Sequence, residues 1–237
     1  MCQILAPSPH VCYNTHMSKY EKIGVIGAMD VEIEGVMAAM SAPAVREIGG
    51  SRFVTGAIGG TEVTAVQSGI GKVNAAFAAC VLALEFGAGA IIMTGVCGGA
   101  GLNALDALVP DGFVQHDVDI LGEERGYIDI LGTTVIRPDA ELSGELAAAS
   151  GAKRGLMATG EGFVSGEEQV RGILSRFPLV RGMDMESAAA AQVCARLGVP
   201  FACVKIVSDG GSDDTYFDFK TAAAEKSVSA VLHLLGK

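Results

Sequence analysis

Two acidic stations toward the C-terminus could do chemistry: Met183-Asp184-Met185-Glu186-Ser187 and Val204-Lys205-Ile206-Val207-Ser208-Asp209-Gly210. Each puts a carboxylate at or just past the end of an apolar stretch, the edge of an open α/β sheet where ligands bind. A third acid, Glu32, follows another apolar run in Gly24-Val25-Ile26-Gly27-Ala28-Met29-Asp30-Val31-Glu32. Three acids from three strand ends, with no cluster of metal ligands beside them, predict acid/base work on a small molecule. They call for neither a metal nor a cofactor. For any one of these acids the plainer role is a helix cap or a surface loop residue. Glu186 in particular precedes a helical pattern and would favour its N-terminal dipole. Their joint setting with the glycine loops is what favours chemistry.

Two glycine loops lie near these acids in the pattern. Ser68-Gly69-Ile70-Gly71-Lys72-Val73 runs from a strand into a helix, the place where glycine loops cradle phosphates. It is no dinucleotide fingerprint, because Asn74 stands where the third glycine belongs, and it lacks the spacing of a P-loop. Thr94-Gly95-Val96-Cys97-Gly98-Gly99-Ala100-Gly101 is the second, equally compatible with a tight strand exit. Cys97 has no neighbouring histidine in sequence to activate it as a nucleophile. His116, Asp117 and Asp119 read as a solvated loop rather than a metal site.

The elements that must position these residues alternate between strand and helix. Strands are predicted over 22–28, 52–58, 62–67, 90–94 and 201–207, with Gly59-Gly60 turning the second into the third as a hairpin. Helices are predicted over 31–40, 73–86, 142–149 and 187–197, the last closed by Gly198 and Pro200. Phe77, Cys80, Val81 and Leu84 form the apolar stripe of the 73–86 helix. A final helix carries Val228, Val231, Leu232 and Leu235 on one stripe facing the sheet. The pattern is that of one α/β domain with a mixed sheet, since the early hairpin is antiparallel and the later units are βαβ-like.

Half of the 237 residues are hydrophobic, enough for a single well-packed domain. The net charge of −10 and pI near 4.8 argue against nucleic acid or an anionic membrane as partners, and read as a soluble cytoplasmic protein. Residues 86–105 carry no charge, but their glycines and Asn103 fit a strand and loop better than a bilayer helix. The six cysteines show no CxxC or zinc spacing and read as buried free thiols. Met17-Ser18-Lys19 resembles a natural start, so residues 1–18 read as a disordered N-terminal extension and 19–237 as the catalytic domain.

Taken together, Gly27-Ala28-Met29 with Glu32, Ser68-Gly69-Ile70-Gly71-Lys72-Val73, Thr94-Gly95 with Gly98-Gly99, Met185-Glu186 and Ser208-Asp209 make a specific combination. From about Lys22 to the C-terminus the chain resembles the 5′-methylthioadenosine/S-adenosylhomocysteine nucleosidases of the nucleoside phosphorylase superfamily. The resemblance implies a three-layer α/β/α domain around a mixed sheet, and hydrolysis of an adenine nucleoside. It implies that Asp209, helped by Ser208, protonates the leaving adenine toward N7. Glu32 would activate the attacking water, and Glu186 would bind the ribose hydroxyls and offset positive charge on the sugar. Phe163 would stack on the base while Val164 reads its edge. Met29, Ile70, Met185 and Phe217 would line the apolar pocket, with Cys97 and Gly98 beside the substrate. Residues 117–120, Asp117 to Ile120, would reach into a partner's pocket, making a homodimer.

Three departures from the family pattern bear on substrate preference: Val96 for a frequent Ser or Thr, Lys205 for an Arg, which would loosen a structural ion pair, and Asp184 for Glu. The alternatives are a sister nucleosidase of the futalosine or aminodeoxyfutalosine type, a purine nucleoside phosphorylase, and a non-catalytic nucleoside-binding protein. A phosphorylase calls for an arginine-built phosphate site, and no arginine stands near the glycine loops.

Overall fold

A computed structural model describes residues 20–209 and 213–236, the side chains of 213–218 excepted. The predicted N-terminal extension lies outside the described residues. Among the described residues, ten strands form one mixed sheet. β1 (Lys22–Gly27) pairs in parallel with β4 (Thr61–Gln67) on one side and β5 (Ala90–Gly99) on the other. β2 (Ser41–Ile48), β3 (Ser51–Ile58) and β4 make an antiparallel meander at one edge. At the other end β7 (Gly112–Gln115), β8 (Leu156–Thr159) and β9 (Val180–Asp184) run parallel. β10 (Phe201–Asp209) lies parallel along β5 and also meets the two-residue β6 (Ala107–Leu108).

The sheet forks at β5. Most of β5 pairs with β10, while its last residues Gly98 and Gly99 pair antiparallel with Met183 and Gly182 of β9. The C-terminal ends of two opposed parallel groups therefore meet at one place. The side chains that leave those ends converge there.

Helices cover both faces. α1 (Glu34–Ala38), α3 (Ala140–Ser150) and α6 (Asp213–Leu234) enclose one core with Val25, Ile92 and Val204. α2 (Lys72–Leu84) and α5 (Ser187–Leu197) enclose a second with Ile26, Ile91 and Phe201. α4 (Glu167–Arg176) adds Ile173 to a third cluster over β7, β8 and β9. None of the described helices is long and apolar enough to cross a membrane.

Two expectations needed correction, and one strand was not foreseen. The predicted 31–40 helix is a 3-10 turn at Asp30–Glu32 followed by the short α1, with the break at Ile33. The turn exists because the Glu32 carboxylate folds back onto the N–H groups of Ala28 and Met29. The stripe assigned to α2 is only partly its buried face. Val81 of that stripe faces the core together with Ala75, Ala78, Ala79 and Leu82, whereas Phe77 and Leu84 are exposed. Small residues let α2 and α5 approach closely, and the large ones were misleading because size does not report direction. β2 escaped notice because it is an exposed edge strand carrying Pro43, with no buried face to impose alternation.

Candidate active site

Each acid arrives from a different element. Glu32 comes from the turn after β1, Glu186 is the N-cap residue of α5 just after β9, and Asp209 ends β10. All three are 5% exposed or less, and they line one cleft. Met29, Ile70, Val96, Cys97, Gly98, Phe163, Val164, Met185 and Ser208 line the same cleft. Of the residues singled out in the sequence, Phe217 alone is not placed: it falls within α6, and its side chain lies outside the described residues.

The carboxylates are held mainly by backbone. Glu32 Oε2 accepts from Ala28 N at 2.8 Å and Met29 N at 2.9 Å, and its Oε1 accepts from Val96 N at 2.8 Å. Val96 thus serves through its N–H, whatever its side chain. Gly95 is required beside it: its φ is +145°, and a Cβ there would sit 2.4 Å from Glu32 Oε1. Glu186 Oε1 accepts from Gly71 N at 2.9 Å, so the glycine loop before α2 cradles a carboxylate of its own chain. Asp209 Oδ2 lies 2.9 Å from Ser208 Oγ, which is also 3.3 Å from the Cys97 carbonyl oxygen.

Sequence reasoning expected an ion pair at Lys205 but did not name its partners, which are Asp184 and Glu186. The Lys205 side chain, 1% exposed, runs beneath the cleft, and Nζ lies 3.4 Å from Asp184 and 3.7 Å from Glu186. Burial works against its charge, yet Asp184, then Glu186 and Glu32, outweigh it and hold the ammonium well above the ordinary lysine pKa. A lysine inside a strand buried throughout needs a buried partner, and that was the available signal. Asp184 is further held by Thr159 Oγ1 at 2.6 Å and by Ser187. For Glu186, burial raises the pKa most; Asp184 and Glu32 add to it, against Lys205 and the Gly71 N–H. Met183 is a further lining residue not foreseen.

Cys97 is fully enclosed, and burial pushes its thiol well up, which suits a wall and not a nucleophile. The segment after β7 is occupied within its own chain: Asp117 pairs with Lys72 at 2.8 Å, and Asp119 pairs with Arg125. Among the described residues no group of three His, Cys, Asp or Glu is placed to hold a metal.

Buried acids set around an apolar cleft, where two parallel strand groups meet, define an α/β protein equipped for proton transfer to a small ligand. The family model for the phosphorylase superfamily matches residues 22–236. A 5′-methylthioadenosine/S-adenosylhomocysteine nucleosidase of Haemophilus influenzae (strain PittEE) is 34% identical over 227 residues, covering 91% of this chain and 99% of that protein. The crystal structure of the nucleosidase of the same name from Colwellia psychrerythraea 34H, in complex with adenine, superposes with a TM-score of 0.87 at 32% identity, covering 92% of this chain and 95% of that one. Futalosine hydrolase of Helicobacter pylori strain 26695 superposes with a TM-score of 0.86 at 26% identity, covering 92% and 98%. The chain belongs to the 5′-methylthioadenosine/S-adenosylhomocysteine nucleosidase family of the phosphorylase superfamily.

Proposed function

We propose that the protein hydrolyses the N-glycosidic bond of 5′-methylthioadenosine, S-adenosylhomocysteine or both, releasing adenine and the 5-thio-substituted ribose. The observation that carries this reading is the convergence of buried Glu32, Glu186 and Asp209 on one cleft with apolar walls. Membership of the family supports the substrate class.

Bond breaking leaves positive charge on the ribose and negative charge on adenine, so the site needs an acid at the base and carboxylate at the sugar. Asp209 donates its proton to N7 of the leaving base. Ser208 Oγ donates to Asp209 Oδ2 at 2.9 Å and so holds the acid in place while its proton passes to the base. Glu186 faces the ribose hydroxyls and offsets the cationic sugar. Glu32 takes the proton of the water that adds to C1′, as the C1′–N9 bond breaks. The sum is one water divided between ribose and adenine. Phe163, 46% exposed at the mouth, offers a face for the base, and Met29, Ile70 and Met185 accept the thioether.

Phosphorolysis is disfavoured because no arginine lines the cleft among the described residues, and the nearby cation, Lys205, is committed to Asp184 and Glu186. A homodimer is part of the same reading. Val73, Phe77 and Leu84 put one outward apolar face on α2, with Val73 78% exposed, and Leu121 next to the 117–120 segment is fully exposed.

Adenine release from methylthioadenosine, S-adenosylhomocysteine, adenosine and futalosine, with and without phosphate, tests the proposal. Release of adenine from the thio-substituted nucleosides in phosphate-free buffer is the expected result. Release only with phosphate would identify a phosphorylase, and preference for futalosine would move the protein to the sister class.

A further inference from the structure

Outside the three acids, the loops at the mouth of the cleft are tied into a closed ring. Lys72 Nζ donates to Asp117 Oδ1 at 2.8 Å and to Gln115 Oε1 at 3.2 Å. The other oxygen of Asp117 accepts from the Glu161 N–H at 2.9 Å. The Glu161 carboxylate returns to the backbone N–H of Lys72 at 3.1 Å. The start of α2, the turn after β7 and the segment after β8 are thereby joined through three residues.

The segment after β8 continues into Gly162, Phe163 and Val164, which line the cleft. Phe163 is exposed and Val164 only half-buried, so apolar packing holds this stretch weakly, and polar ties must do more. At its root a Cβ on Gly160 would fall 2.3 Å from His116 Nε2, so glycine lets the chain lie directly on the imidazole. Successive N–H groups at the start of α2 then serve both halves of the site. Gly71 holds Glu186 on the sugar side, and Lys72 holds Glu161 on the base side.

The ring is sheltered only in part, with the Lys72 and Asp117 side chains 18% and 30% exposed and Glu161 itself exposed. Burial acts to raise the Asp117 pKa, but the hydrogen bonds from Lys72 and from the Glu161 N–H outweigh it and keep the carboxyl below its ordinary value. Asp117 therefore stays charged at neutral pH.

We propose that Lys72, Asp117 and Glu161 are positioning residues that hold segment 160–164 where Phe163 and Val164 grip the base, and so set base affinity rather than the bond-breaking step. This rests on the nucleosidase reading above.

The test is adenine affinity by calorimetry, with KM and kcat for methylthioadenosine, in Asp117→Asn, Lys72→Met and the double variant. Each single change should weaken adenine binding and raise KM about tenfold, with kcat within about twofold, as loss of one sheltered charge-assisted contact would. The double variant should be little worse than either single one, because a ring opened once is already open. Glu161→Gln provides a third break if either variant fails to fold. Unchanged adenine affinity in folded variants, a loss confined to kcat, or losses that multiply to about a hundredfold would overturn the ring. Wild-type protein that binds no adenine overturns this proposal and the nucleosidase reading together. Wild-type binding with unaltered variants overturns the ring alone.

Discussion

Lys205 Nζ stands 3.4 Å from Asp184 Oδ2, both side chains 1% exposed, directly under the carboxylates of the cleft. A buried pair of this kind is costly to break, because the survivor keeps its desolvation penalty without its partner. Lys205→Met should therefore destabilise the fold by about 3 kcal/mol or more in urea unfolding. Its pH–rate profile should shift too: without the ammonium, Glu186 takes up a proton at higher pH, and activity on the acid side falls earlier. Lys205→Arg, which keeps the charge, should recover most of both. Full stability in Lys205→Met would mean the pair is not what holds this floor.

Glu186 gives a stability effect of defined sign. Its folded-state pKa is raised from the ordinary 4.5, chiefly by burial. The folded state thus binds more protons than the unfolded chain, and this group's contribution is fully present below 4.5 and lost as pH rises through the folded value. Glu186→Gln should then raise Tm, more at pH 8 than at pH 5, while lowering kcat by about a hundredfold or more. A Tm gain that is independent of pH would contradict the origin assigned here.

Asp209 and Glu32 separate binding from chemistry. Asp209→Asn keeps the shape beside Ser208 but cannot supply the proton, so turnover should fall by about 10²–10⁴ with adenine affinity largely kept. Glu32→Gln should lose hydrolysis to a similar degree. Near-normal rates in either variant, measured by adenine release, would remove that residue from its role.

Gly95→Ala probes the close approach on Glu32. The added carbon meets Oε1 at 2.4 Å at a backbone φ of +145°, so both the backbone and the acid must shift. The expected result is a loss of about 1–3 kcal/mol in stability together with a marked fall in kcat. Loss of stability with unchanged kcat would show that the Glu32 position is not critical to the reaction.

Thiol chemistry supplies an independent check on the core. Burial pushes Cys97 well up and moves Cys194 and Cys203 up to about 12. Of the six cysteines, these three should resist a thiol-specific reagent at pH 8 in the native protein, leaving at most three to react. All six should react in denaturant. Rapid modification of Cys97 in the folded protein would mean that the cleft opens far more than its packing implies.

The sequence alone determined the local features. Apolar runs marked β1, β5 and β10, glycine and proline closed α5, and three acids at strand ends announced acid/base chemistry, because strand period, caps and strand termini are properties of neighbours in the chain. What lay beyond it depended on residues far apart in sequence meeting in space. The inward face of α2 was decided by how closely α5 approaches, not by the size of Phe77 or Leu84. The partner of Lys205, 21 residues away on β9, was decided by the fork at Gly98 and Gly99 that brings β9 and β10 to the same strand. The direction of the Glu32 carboxylate was decided by backbone N–H groups on both β5 and its own turn. Chain-local signals indicate that a charge exists, but only packing decides which opposing group it is buried against, and that choice sets its chemistry.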